Sequence, residues 1–344
     1  MNENKKNYNL YISLWLSISM ILLVSMIIIG GLTRLTDSGL SITKWDLFSG
    51  IIPPLNITDW QLSFNLYKQI PEFKLLNSNM TLDEFKIIFW WEYIHRLLGR
   101  FIGLFFLIPL IFFIFKKCLN KKEIFNFNLI FLLIVFQGII GWYMVKSGLI
   151  DRTDVSHYRL SIHLTIAFII FGLLQWNYLI FINKNNLKST KVSFPSNILV
   201  IFLFLIFFQI SFGAFVSGLD AGMLYNTWPL MNESFFPDDS KFNELFNLQV
   251  LNDPSLVQFL HRIIAYIIFF FYIYILLKAF FNEKLIHLRK YFLIVLLFLL
   301  FQVFLGIAAV LSAAHIYVAS LHQIGSILLV STTILLIFKN SKIN

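Results

Sequence analysis

The chain has seven histidines, and four of them, His95, His163, His261 and His322, lie near the ends of long apolar runs. A lone histidine in such a run often serves only as a hydrogen-bonded polar residue. Two pairs at repeated places point further, because neutral imidazoles offered by facing helices suit axial ligation of a haem iron. His95 shares one helical stripe with Glu92, Arg96, Gly99 and Gly103; His261 shares the equivalent stripe with Gln258, Arg262 and Ala265. Arg96 and Arg262 are candidates to pair with haem propionates, with snorkelling to the outer interface as the alternative. Zinc fits less well, since no cysteine or carboxylate completes a ligand set in the second stripe. His157 and His315 sit near outer helix ends and His287 in a basic loop; all three read as non-ligating. His315 lies seven residues before His322 on the same face.

Only the first stripe carries a carboxylate. Glu92 lies three residues before His95, and its counterpart is Gln258, similar in size but not titratable. Charged groups at bilayer depth cost about 2.5–3.5 kcal/mol each on insertion scales, so "WEYIHRLLGR" at the head of "FIGLFFLIPLIFFIF" needs a reason. A carboxyl group beside one of two haems can move protons or steady developing positive charge. The alternative is an interfacial glutamate that neutralises Arg96 or Arg100.

The elements that must position these groups are membrane helices. The 344 residues are 58% hydrophobic and 13% charged, against roughly 25% charged in a soluble domain. The net charge of +9 is spread between apolar runs, which fits the positive-inside pattern and not nucleic-acid binding. A bilayer core needs about 20 helical residues per crossing. Eight runs qualify, at 11–32, 88–115, 124–145, 157–182, 196–217, 256–281, 291–311 and 316–338. Lys5 and Lys6, "KKCLNKK", "NKNNLKSTK", "NEKLIHLRK" and the tail with Lys339 and Lys342 alternate with loops poorer in basic residues, which places both termini in the cytoplasm. Two large loops, 33–87 and 218–255, then face outward. The single cysteine, Cys118, forms no intrachain disulfide or CxxC centre and reads as a bystander at a membrane edge. The start "MNENKKNYNL" reads as neither a removable signal nor a transit peptide.

The chain also repeats itself. "GGLTRLTDSGLSITKW" (30–45) aligns with "GAFVSGLDAGMLYNTW" (213–228), pairing Gly30 with Gly213, Asp37 with Asp220, Gly39 with Gly222 and Trp45 with Trp228. "EYIHRLLGR" aligns with "QFLHRIIAY", "FQGIIGWYMVKSGL" with "FQVFLGIAAVLSAA", and "RLSIHLTIA" with "VASLHQIGS". The expected fold is an all-α integral membrane protein, with eight transmembrane helices forming two tandem four-helix bundles related by a pseudo-twofold along the membrane normal. The halves are 1–183 and 184–344.

These segments carry a resemblance. "GGLTRLTDSGLSITKW", "PEFKLLNSNMTLDEFKIIFWWEYIHRLLGR", "FQGIIGWYMVKSG", "SHYRLSIHL", "GAFVSGLDAGMLYNTWPLMNESFFPDD", "VQFLHR" and "LHQIGS" together resemble the haem A synthase family of the proteobacterial and mitochondrial kind, from about Gly30 to Ser326. The resemblance implies oxidation of a ring methyl of haem O to a formyl group, making haem A for terminal oxidases. It implies that His95 and His163 face the substrate haem O, that His261 and His322 hold a haem b cofactor, and that Glu92 is the family's acidic residue. It also implies an inner-membrane location, a membrane electron donor, and haem O synthase and oxidase assembly factors as candidate partners; a homo-oligomer is compatible with it. The outer-loop cysteine pairs of some Gram-positive relatives do not occur here. Two other readings stand beside it. A di-haem cytochrome b wants haems at different depths, whereas these histidines all read near one side. A two-repeat transporter wants broken helices at the midplane.

Overall fold

The structure, a computed structural model, describes residues 3–44, 49–184 and 193–341. Trp45, Lys342 and most of the basic segment "NKNNLKSTK" lie outside them. The described residues are mostly helical, with no named strand among them. In chain order the α-helices are α1 (Glu3–Leu35), α2 (Ile57–Tyr67), α3 (Pro71–Leu75), α4 (Leu82–Phe115), α5 (Lys121–Asp151), α6 (His157–Asn183), α7 (Ser196–Gly218), α8 (Pro254–Phe280), α9 (Arg289–Leu311) and α10 (Ile316–Asn340). Eight of them, α1 and α4 to α10, are long and apolar enough to cross a membrane. This is a multi-pass membrane protein.

Helix ends run past the apolar stretches because caps, not oiliness, start them. Thr81 and Glu84 form a reciprocal capping box that begins α4 six residues before the expected 88, and Asn120 with Glu123 does the same for α5. Asp253 caps α8, with Pro254 in the first turn, where its missing N–H costs nothing.

The described chain forms two compact units: Ile21–Ala167, and Met1–Met20 with Phe168–Asn344. In the first, the outer segment expected as loop contains α2 and α3. Both are short; α2 packs on the extended start of α4, and Phe73 of α3 packs edge-on against Phe64 and Tyr67 of α2. Phe64, Tyr67, Ile70, Phe85, Ile88, Phe89 and Tyr93 make one buried cluster, with Phe64 and Phe85 stacked at 5.1 Å. This anchors the outer segment over the mouth of α4. In the second unit α7 packs on α8 and α10, and α9 on α10. The Asn340 side chain closes it by accepting from Phe194 N–H at 2.7 Å and donating to Phe194 C=O at 2.9 Å.

Candidate functional site

In the first unit the site is built where α4 meets the outer segment. Glu92 is 2% exposed. Its Oε2 accepts from Ser41 Oγ and from Ile42 N–H, both at 2.7 Å. Its Oε1 takes Arg96 Nη2 at 2.5 Å and Nε at 3.0 Å. Arg96 also donates to the carbonyls of Ile42 (2.9 Å) and Lys44 (3.3 Å). Carboxylate and guanidinium together therefore clamp the Ser41–Lys44 backbone onto the helix. A desolvated charge pair tolerates burial only when its remaining donors and acceptors are met in this way.

The second unit repeats the clamp with one change. Arg262 donates to the carbonyls of Tyr225 (2.8 Å) and Thr227 (3.0 Å), the positions that the sequence repeat pairs with Ile42 and Lys44. Gln258 Nε2 donates to Tyr225 C=O at 3.2 Å, where Glu92 accepts from Ile42 N–H. The glutamate–glutamine exchange thus reverses the direction of one hydrogen bond. Asp37 and Asp220, also paired by the repeat, both adopt left-handed φ, 47° and 51°, which aspartate tolerates better than most residues.

All four repeat histidines face a glycine on the membrane-spanning helix before their own. A Cβ built on Gly30 would lie 2.9 Å from His95 Cε1, on Gly141 3.4 Å from His163 Cε1, on Gly213 3.3 Å from His261 Cε1, and on Gly306 3.0 Å from His322 Cε1. At Gly30 any larger residue displaces the ring. His95 and His163 lie within electrostatic reach of each other. The rings of His261 and His322 stand 6.5 Å apart between centroids, inclined by 77°. Two metal–imidazole bonds of about 2 Å, plus about 1 Å from each nitrogen to its ring centre, place such rings about 6 Å apart. The Nδ1 atoms of His95, His163 and His261 are buried without a hydrogen-bond partner. Rings so cradled, with an orphaned nitrogen, fit a bis-imidazole haem.

His157 is buried against Tyr158. His315 is exposed at the start of α10, and His287 lies in a short 3₁₀ turn, Glu283–Leu288. On the predicted stripe, Gly99 approaches Met26 of α1, whereas Gly103 has no neighbour within 4 Å of a built Cβ.

The structure adds residues that the sequence reading passed over. A cavity of about 270 Å³ beside Arg96 is lined by Ile42, Trp142, Val145 and Lys146 among others. Lys146 Nζ lies 5.0 Å over the Trp142 ring, and a lysine inside "GWYMVKSG" was the available signal. Glu72 is 3% exposed. It accepts from Tyr67 Oη at 3.0 Å, and Asn77 donates to that same hydroxyl at 2.8 Å. Burial pushes the Glu72 carboxyl up to about 8; Tyr67 pulls it down, while Glu92, Asp37 and Asp154 push it further up. The folded segment therefore holds a proton that the unfolded one, near 4.5, gives up. Stability is full below about pH 4.5 and falls as pH rises toward 8, a loss on the order of 3 kcal/mol by pH 7. Glu72→Gln should flatten that slope in amide-exchange protection of residues 57–77, corrected for intrinsic rates. An unchanged slope in the variant would assign the pH dependence elsewhere.

Residues 13–334 match the COX15-CtaA family, described as cytochrome oxidase assembly protein. The chain is 51% identical to the haem A synthase of Pelagibacter ubique (strain HTCC1062) over 343 residues, covering 99% of this chain and 100% of that one. It is 42% identical to the haem A synthase of Rickettsia felis over 330 residues, 94% and 96% of the two chains. It is 41% identical to that of Rhizobium rhizogenes over 320 residues, 92% and 86%. With a profile match over nearly its whole length and relatives this similar end to end, the chain belongs to the COX15-CtaA family of cytochrome oxidase assembly proteins.

Proposed function

We propose that this protein is a haem A synthase, an oxidoreductase that converts a ring methyl of haem O to a formyl group in the bacterial inner membrane, with both termini cytoplasmic. The relatives' names support the product. Within the chain, one observation carries the assignment of halves: the buried Glu92–Arg96 pair lies one turn from His95, and Gln258 stands in its place beside His261. The half 1–183 takes haem O between His95 and His163. The half 184–344 holds haem b between His261 and His322, as two four-helix bundles related by the sequence repeat.

Each residue then has a task. Gly30, Gly141, Gly213 and Gly306 let the imidazoles seat against the neighbouring helix. Arg96 and Lys146, which line one cavity, anchor the haem O propionates, and Arg262 does so for haem b. Haem b, when bound, supplies one-electron transfer between a membrane electron partner and the substrate half. Methyl-to-formyl conversion replaces two hydrogens with one oxygen, so protons must leave the reacting carbon's surroundings. Glu92, on the helix face of His95, would balance the charge that develops, or take up a proton on releasing one of the donors, Arg96, Ser41 or Ile42 N–H, that hold its oxygens. The hydrophobic tail of haem O accounts for a site built in the membrane, and haem O synthase and oxidase assembly factors are the neighbours that would deliver substrate and accept product.

Pigment extraction with chromatography from the purified protein is the direct test. Haem b together with haem O or haem A is expected; haem b alone would favour an electron-carrying cytochrome, and no haem a transporter. His95→Ala and His163→Ala should each retain haem b and lose haem A production. Full haem A output from both variants would remove the substrate haem from this half.

A further inference from the structure

Each glycine that cradles a histidine is the fifth residue of a five-residue stretch. Three of these stretches begin with glutamine: Gln137–Gly141, Gln209–Gly213 and Gln302–Gly306. The fourth begins with methionine: Met26–Gly30. The glutamines do one thing in common. Gln137 Nε2 donates to the backbone carbonyl of His163 at 2.9 Å, Gln209 Nε2 to that of His261 at 3.0 Å, and Gln302 Nε2 to that of His322 at 3.0 Å. In the second unit the same amides also reach the rings. Gln209 Nε2 is 3.2 Å from His261 Nε2, and Gln302 Nε2 is 3.3 Å from His322 Nδ1. All three Oε1 atoms are buried with no partner. A Cβ at Gly325, one turn past His322, would collide with Gln302 Oε1, so that helix keeps a place open for the amide. At His163 and His261 a buried carboxamide with an idle acceptor stands beside an imidazole with an idle nitrogen, and at His322 the amide reaches the ring itself; such an amide matches the outer partner that orients a ligand histidine and fixes its tautomer. Met26 offers His95 no donor and no comparable acceptor. It turns its methyl toward Gly99 instead.

We propose that Gln137, Gln209 and Gln302 are positioning residues that hold three of the four ligand histidines, and that Met26 leaves His95 as the loosely held, exchangeable ligand of the substrate haem. This rests on the haem-ligand reading given above. It would account for two halves that share a ligand pattern and are assigned different haems. Gln209 and Gln302 would hold both histidines of the second half in place for haem b. The substrate haem is gripped by His163 and released on the His95 face, which is the face that carries Glu92. With haem bound, His95 would be the ligand free to exchange, on the helix face where Glu92 stands.

The test is carbon monoxide binding to the dithionite-reduced, full-length protein, with haem content measured in parallel. In the unmodified protein a haem fraction equal to the substrate haem should bind carbon monoxide, and haem b should not. Met26→Gln should weaken that binding about fivefold, the equilibrium change produced by one hydrogen bond of ordinary net strength, and should raise the low-spin signal of the substrate haem. Met26→Leu, the apolar control, should behave like the unmodified protein. Gln209→Met and Gln302→Met should make haem b bind carbon monoxide and shift its midpoint potential. Unaltered carbon monoxide binding in Met26→Gln at normal haem content, together with an unreactive haem b of unchanged potential in both glutamine variants, overturns the proposal. A failed ligand reading looks different: the unmodified protein would show no bis-imidazole haem at all. If Met26→Gln does not accumulate, the two glutamine variants decide the matter alone through haem b.

Discussion

His261→Ala and His322→Ala should each abolish the low-spin, bis-imidazole haem b spectrum and leave haem O unconverted. The expected loss is complete because nothing adjacent can substitute. Gln209 and Gln302 reach the rings with amide nitrogens, which are not iron ligands; the histidine next in sequence to His261 is His287, in the turn Glu283–Leu288, and that next to His322 is His315, exposed at the start of α10. Alanine also leaves the glycine cradle facing a void, so protein level and helix content must be compared. A tighter version leaves the ligands in place: Gly306→Ala puts a methyl 3.0 Å from His322 Cε1, closer than most Cβ contacts, and should lower haem b occupancy while the imidazole remains. Normal haem b spectra in both alanine variants would falsify the assignment of the cofactor to this half.

Much of this architecture was legible in the sequence, for a physical reason. A bilayer demands about 20 apolar residues per crossing, so the eight crossings stand out from composition alone. Their ends do not, because Thr81–Glu84 and Asn120–Glu123 start helices in polar sequence. The α2 and α3 segments were hidden for the opposite reason: they are short, and their apolar residues gain a partner only once α4 is extended to meet them. Among site residues, the histidines and Glu92 were visible as polar groups in costly places. Arg96 and Arg262 read from the sequence as candidates for haem propionates or as snorkelling residues; in the structure they bind the backbone of the outer segments, a contact between residues over 30 apart in sequence. The Gln–Gly shelves lay in plain view as "FQGIIG", "FQISFG" and "FQVFLG". What they face is set by helix pairing, which spacing along one helix does not reveal. Glu72 gave no signal, since "PEFK" looks like an ordinary solvated turn until Tyr67 and Asn77 close over it.

Glu92→Gln should keep haem b and haem O in place while the ratio of haem A to haem O falls by about 10²–10⁴-fold, the usual cost of losing one positioned acid–base group. The second unit shows that a glutamine–arginine stripe is structurally sustainable, because Gln258 and Arg262 together hold the outer segment through Tyr225. They do so against a carbonyl, however, whereas Glu92 Oε2 receives the hydroxyl of Ser41 and the N–H of Ile42. A glutamine at 92 can turn its oxygen to those donors, but its NH₂ then faces Arg96, so some loosening of residues 41–44 accompanies the loss of charge. Glu92→Asp separates the two effects. It keeps the charge and withdraws it by one methylene, so it strains the same clamp while leaving a carboxylate in the site. If the carboxylate acts on the methyl oxidation, Asp should convert at an intermediate rate and Gln should accumulate haem O or the half-oxidised alcohol. If Glu92 only clamps the loop, Asp and Gln should be impaired alike, and amide-exchange protection of residues 41–44 should fall in step with activity in both. The comparison is made at equal protein level and equal haem b content. A Gln variant with an unaltered haem A to haem O ratio would leave Glu92 as the partner of Arg96 and nothing more.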